Sequence, residues 1–314
     1  MQIESLKVFC DVIETQSFSK AASLNYISQS AVSQQIRALE EKYDRKLIER
    51  GKRSLVPTQA GQALYQGAKE ILERFRSMEN RLQVLSNSIA GVLRVATVYS
   101  VGLHELPPYL QDFLRRYPAA RVHLEYSRAN RIYDDVSAGT VDLGIVAYPV
   151  KRSGLEVLPF REDRLYVITP PDHPLAQQTE LKVEQLDGQK LVGFEKDVPT
   201  RRAVDRMLRA HDTSVEVVME FDNIETIKRA VEIGAGITVI PGITVASEVR
   251  EGSLRAIPFA GRGSYRQLGI LVRKGRARTQ IMDRFVALLQ EEGQVGAETQ
   301  APRPRGGRGG DGRE

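Results

Sequence analysis

Gln29, Ser33 and Arg37 recur at i, i+4, i+8, with Ser30 and Gln34 beside them, in the stretch Ser28-Gln29-Ser30-Ala31-Val32-Ser33-Gln34-Gln35-Ile36-Arg37-Ala38-Leu39-Glu40. On a helix these five side chains share one face. They are short hydroxyls, amides and one guanidinium, the set that reads base edges and grips phosphates. A solvated helix face more often carries Glu and Lys. The spacing therefore predicts a DNA-contacting helix, packed inward along Val32, Ile36 and Leu39 at i, i+4, i+7. Ser28 and Ser30 have a second reading, as helix-capping residues.

Such a helix needs neighbours to hold it. Leu6, Phe9 and Ile13 give a first amphipathic helix, with Cys10 and Val12 flanking the seam. Ser17 is placed to cap a short second helix whose small Ala21-Ala22 pair allows close approach. Asn25-Tyr26-Ile27 makes the turn into the reading helix. Beyond it, residues 47–58 read as a small hairpin turning at Gly51-Lys52, with Arg50, Lys52 and Arg53 at its tip as an electrostatic arm for backbone or minor groove. Residues 1–58 thus read as a winged helix-turn-helix.

The pattern Ser17-Phe18-x-x-Ala21-Ala22, Ser28-Gln29-Ser30-Ala31-Val32-Ser33-x-x-Ile36-x-x-Leu39-Glu40, Arg50, Arg53 and Thr58-x-x-Gly61 resembles the N-terminal signature of LysR-type transcriptional regulators. The match is dense and ordered over some sixty positions. Carried over, it implies that Gln29, Ser30, Ser33, Gln34 and Arg37 face the major groove, with Ser28 at the helix start. It also implies that Arg53 sits on the wing and Lys20 near a phosphate. Two positions depart from the family pattern: Ser30 stands where Pro is frequent, and Asn25 where Leu is. Leu24 is expected to supply the packing that Asn25 lacks.

From Thr58 a long stretch without Pro carries Leu64, Ala68, Ile71, Phe75, Met78, Leu82, Leu85 and Ile89 at alternating spacings of four and three. That is a heptad seam flanked by charge, and residues 59–90 are expected to form a dimerising linker helix. Two reading helices held by a dimer can engage half-sites roughly 34 Å apart. The resemblance implies the same linker, often with dimers paired into tetramers.

After Gly91 short apolar strands alternate with helices through residue 294, predicting two parallel α/β lobes with chain crossovers near Ile168 and Arg266. The resemblance implies a periplasmic-binding-protein-like effector domain. In such sheets ligands sit beyond the carboxyl ends of strands, at helix N-termini. Thr97 and Ser100, Arg128 and Asn130, Thr200 and Arg201, and Asn223 occupy those places and predict a small anion as co-inducer. Arg201 opposes the helix dipole by roughly 0.3–1 kcal/mol, which a bound anion, solvent, Glu195 or Asp205 could offset. The phrases at residues 97–107 and 221–228 are similar to a branch that includes carbon-fixation and sulfur-assimilation regulators. Gly234-Ala235-Gly236 precedes a strand, the reverse of a phosphate loop.

The 314-residue chain is 27% charged, 41% hydrophobic and carries a net charge of +5, which permits nucleic-acid binding without demanding it. Its single cysteine, Cys10, precludes an internal disulfide and reads as a buried inert thiol. No signal peptide and no membrane span are read, so a cytoplasmic location is expected. The four histidines are scattered singly, without metal-ligand spacing, and no Gly-x-Ser-x-Gly nucleophile motif occurs, so neither an enzyme nor a metal site is expected. Residues 295–314, rich in Gly, Pro and Arg, read as a disordered tail that is either passive or adds nonspecific nucleic-acid affinity. The expected partners are promoter DNA, a second copy or a dimer of dimers, a small effector and RNA polymerase. The competing reading is a solute-binding or enzymatic α/β protein with an accessory winged-helix domain.

Overall fold

The computed structural model describes residues 2–50, 55–84, 89–261, 264–275 and 278–295. Arg53, Leu85, the Gly51-Lys52 turn and the tail from residue 296 lie outside the described residues, as do the side chains of Arg50 and Leu82. The chain folds as two units, Met1–Asn87 and Ser88–Glu314.

The first unit comprises α1 (Ile3–Thr15), α2 (Phe18–Asn25), α3 (Gln29–Tyr43), a two-stranded ribbon of β1 (Ile48–Arg50) and β2 (Leu55–Pro57), and α4 (Gln59–Val84). The predicted seams meet in one core: Phe9 and Val12 of α1, Ala21 and Ala22 of α2, and Val32, Ile36 and Leu39 of α3. Ser17 caps α2 through the Lys20 amide, as its position predicts. Cys10 is buried with Leu6 and Ala68. Leu24 does not supply packing in place of Asn25, because it is half exposed at 50%. Asn25 instead bonds to α1: its Nδ2 donates to Asp11 Oδ2 (2.6 Å), and its Oδ1 accepts from Lys7 Nζ. A polar tie between α1 and α2 replaces an apolar one.

The second unit opens with β3 (Gly91–Thr97), α5 (Tyr99–His104), α6 (Leu106–Arg116), β4 (Ala120–Tyr126), α7 (Ala129–Ala138), β5 (Leu143–Ala147) and the long β6 (Leu155–Thr169). Then follow β7 (Lys190–Phe194), α8 (Pro199–Ala210), β8 (Glu216–Phe221), α9 (Ile224–Glu232), β9 (Thr238–Pro241), α10 (Ala246–Glu251), β10 (Arg255–Pro258), β11 (Tyr265–Arg273) and α11 (Gln280–Val295). Only part of the sheet is parallel, which corrects the all-parallel expectation. β3 runs parallel to β4 and β5, and β7 to β8, whereas β11 is antiparallel to β5 and β6. β6 belongs to both lobes: residues 155–164 pair with β11, and residues 165–169 pair with β9 and β10. Its first ten residues escape the sequence pattern because Arg161 and Asp163 are charged yet buried. α5 ends at His104 and α6 starts at Leu106, with Glu105 between them and Pro107 in the first turn of α6.

Candidate DNA-reading face and interlobe pocket

Gln29, Ser30, Gln34 and Arg37 are exposed on α3 and Ser33 is half-buried, while Val32, Ile36 and Leu39 point into the core. Ser28 is the N-cap: its Oγ accepts from the Ala31 amide (3.1 Å) and lies 2.8 Å from Ser30 Oγ. The capping reading therefore holds for Ser28, whose hydroxyl remains exposed at the head of the reading face. Lys20 is exposed on α2.

The far end of α3 fixes the wing. Glu40 Oε1 accepts from the Leu47 amide (2.9 Å), and Oε2 faces Lys46 Nζ (3.0 Å). Burial disfavours the charged carboxylate, but the Leu47 and Ile48 amides and Lys46 outweigh it and hold Glu40 below the usual carboxylate range. Thr58 Oγ1 donates to Lys46 O (2.6 Å) and accepts from the Gly61 amide (3.0 Å), which caps α4. A Cβ on Gly61 would lie 2.0 Å from Leu47 O, so the backbones of wing and helix can meet only at glycine.

In the second unit a pocket opens between the lobes. Lobe one contributes Tyr99 and Ser100 after β3, Arg128 and Asn130 after β4, and Arg266 of β11. Lobe two contributes Phe194, Asp197, Thr200 and Asp222. Thr200, in the first turn of α8, is buried and follows Pro199 at the helix start. Arg266 is 1% exposed, and its Nη1 donates to Ser100 Oγ (2.8 Å). At the pocket mouth Arg128 reaches three carboxylates of the opposite lobe: Glu195 (2.9 Å), Asp197 (3.1 Å) and Asp222 (2.9 Å). A second contact between lobes joins His104 Nε2 of α5 to Glu225 Oε1 of α9 (2.7 Å). Burial there keeps His104 below its usual range, against the pull of Glu225.

Residues 3–62 match the bacterial regulatory helix-turn-helix protein of the lysR family, and residues 86–294 match the LysR substrate binding domain. The chain belongs to the LysR family. Within it, a probable RuBisCO transcriptional regulator of Cyanidioschyzon merolae is 30% identical over 272 residues, 85% of this chain and 90% of the relative. The CcmR regulatory domain of Synechocystis, solved in complex with 2-PG, is 27% identical and covers 67% of this chain and 100% of its own, with a TM-score of 0.60. Full-length OxyR of Pseudomonas aeruginosa shares the fold at a TM-score of 0.72 and 22% identity, covering 98% of both chains. This LysR protein is thus a DNA-binding transcriptional regulator with an effector-binding domain, and the solute-binding or enzymatic alternative is not favoured.

The predicted effector residues of this LysR chain divide into two groups. Ser100, Arg128, Asn130 and Thr200 line the pocket. Thr97, Arg201 and Asn223 are not among the residues lining it, and each has a structural partner that accounts for it. Thr97 Oγ1 donates to Ile145 O (3.2 Å), and Asn223 Oδ1 caps α9 at the Glu225 amide (2.8 Å). Arg201 donates to Asp205 (2.8 Å), Phe194 O (2.8 Å) and Glu220. Of the alternatives for its charge, an internal acid is the one realised. Sequence reasoning missed Arg266 as a pocket residue. An arginine beginning the apolar run of β11 was the available signal, since a charge on a buried strand needs partners.

Proposed function

We propose that this regulator reads DNA through Gln29, Ser30, Ser33, Gln34 and Arg37, with Ser28, Lys20, Arg50 and Arg53 on the phosphates. The observation supporting this is the segregation of α3 into an apolar buried face and an exposed face of amides, hydroxyls and one guanidinium. Gln29→Ala and Arg37→Ala are each expected to weaken cognate binding by roughly 1–3 kcal/mol, measured by mobility shift against a scrambled site. Arg53→Ala should lower affinity for both sequences alike and flatten the salt dependence. Equal loss on both sequences for Gln29→Ala would refute the reading face.

For the effector we propose a small anion bound between the lobes by Ser100, Thr200, Asn130 and the buried Arg266, with Arg128 at the mouth. Support comes from a guanidinium held in the pocket wall and from the related CcmR domain, whose partner 2-PG is an anionic effector. Binding would bias lobe closure, and α4 would carry the change to a pair of DNA heads, altering DNA bending and polymerase recruitment. Thermal shift and footprinting with 2-PG and sulfate test this: stabilisation with an altered footprint is expected. Identical footprints with a bound anion would refute the coupling.

In this reading the protein acts as a homodimer or dimer of dimers, and it is a regulator rather than an enzyme, in line with the names of its relatives. A cytoplasmic site of action follows from the DNA partner. Among the described residues no helix is long and apolar enough to cross a membrane. The proposed division is 1–58 for DNA, 59–90 for dimerisation, 91–294 for the effector and 295–314 as tail.

A further inference from the structure

Behind the pocket, two guanidiniums and two carboxyl groups are buried together on β6, β11 and the α5–α6 junction. Arg266 Nε donates to Asp163 Oδ2 (3.0 Å), while Arg161 Nη1 lies 3.1 Å from Glu105 Oε2 and Arg161 Nε 3.6 Å from Asp163 Oδ1. The Glu105 side chain is 0% exposed and that of Asp163 3%. Both carboxyls approach the one Arg161 guanidinium, yet among the described residues neither Glu105 oxygen nor Asp163 Oδ1 accepts a hydrogen bond of good geometry. A proton between them supplies the missing donor and removes the repulsion of two buried like charges.

We propose that one proton shared by Glu105 and Asp163 sets how strongly the pocket holds an anion, so that anion binding at Arg266 takes up a proton. The proposal rests on the anion reading above and adds its regulation. With the proton in place, two guanidiniums face one carboxylate and the cluster presents a net positive charge to the pocket. Without it the cluster is neutral and Arg266 offers an anion less. Burial first, and then the charge of Asp163, push Glu105 up to about 8, against the pull of Arg161 and Arg266. The switch therefore falls just above neutrality.

His104 and Tyr148, beside the cluster, are both moved away from this range. His104 adjoins Glu105 in sequence but pairs with Glu225, and burial keeps its ring neutral from its usual range upward. Tyr148, near Arg266 and Asp163, is pushed up by burial. The Tyr109 hydroxyl of α6 accepts from Arg161 Nη1 (3.4 Å).

Sulfate, which does not titrate between pH 6 and 9.5, is a suitable probe for the full-length protein. Calorimetric affinity should be level near pH 6 and fall as pH rises past 8, by no more than about tenfold per pH unit. Near pH 8 the heat of binding should depend on the ionisation heat of the buffer, reporting proton uptake by the wild-type protein without any substitution. Glu105→Gln should hold the affinity near its low-pH level and abolish the uptake. Sulfate binding with equal affinity at every pH and no uptake overturns the proton switch while leaving the anion pocket intact, as does an unchanged pH profile in Glu105→Gln. No sulfate binding even at pH 6 overturns the anion reading and the switch with it.

Discussion

Glu40 and Gly61 between them decide where the wing sits. Glu40 is charged and hydrogen-bonded in the folded head, so its carboxyl titrates below its ordinary value of 4.5. A group depressed on folding contributes stability that is complete above the unfolded value and is lost as pH falls through the folded one. Glu40→Gln should therefore be less stable than wild type at pH 7, and the two should converge below pH 4.5 in urea unfolding followed by circular dichroism. A difference that grows on acidification would contradict the assignment. Gly61→Ala argues from space alone. Alanine inside a helix usually gains about 1 kcal/mol over glycine. Here its Cβ would stand 2.0 Å from Leu47 O, a backbone atom that cannot rotate away. The expected outcome is a net loss of about 2 kcal/mol or a displaced wing, read by denaturation midpoint and by loss of DNA affinity.

In the proposed coupling α4 joins reading to regulation, and its apolar residues divide between the core of the head and an exposed stretch. Ala68 is buried, and Leu64 and Leu72 pack against the same α1 cluster, so Leu64 belongs to the head's own core rather than to a dimer seam. Ile71 and Met78 are 47% and 48% exposed at the continuing heptad spacing. If a second copy covers them, Ile71→Glu with Met78→Glu should yield a folded monomer in sedimentation equilibrium, with DNA affinity falling to that of a single head. A dimer that survives both changes would place the interface elsewhere. The helix α4 was legible because heptads leave a regular mark, and so were the helices of the head, whose apolar residues fall on one side. Which seam residues face α1 was not legible, since spacing is the same for either neighbour. The first ten residues of β6 were hidden for a related reason: Arg161 and Asp163 look like exposed loop charges until they are paired with Glu105 and Arg266, far away in the chain. Likewise the strand-end rule found Ser100, Arg128, Asn130 and Thr200, which line the pocket. For Arg201 it left a bound anion, solvent, Glu195 and Asp205 open; Asp205 is one partner, and Glu220 went unseen because it comes from β8, beyond the reach of a local helix argument.

At the scale of the whole effector unit, Arg128 is the residue that gathers several interlobe ion pairs on one side chain. One guanidinium from the β4–α7 turn meets Glu195, Asp197 and Asp222 of the other lobe, all 40–52% exposed. Each such exposed pair is individually weak and screened by salt. Removing the guanidinium takes away these attractions across the cleft together and leaves the three carboxylates of lobe two without their shared partner. In the wild-type protein added salt should loosen the clasp, raising hydrogen exchange at the amides of the β3–α5 and β7–α8 turns. In Arg128→Ala exchange at those amides should start several-fold faster and respond little to salt, because the attraction that salt screens is gone. A salt response in Arg128→Ala as large as in wild type would mean that the clasp does not govern lobe opening, and that the effector must shift closure through the buried side of the pocket, at Ser100 and Arg266.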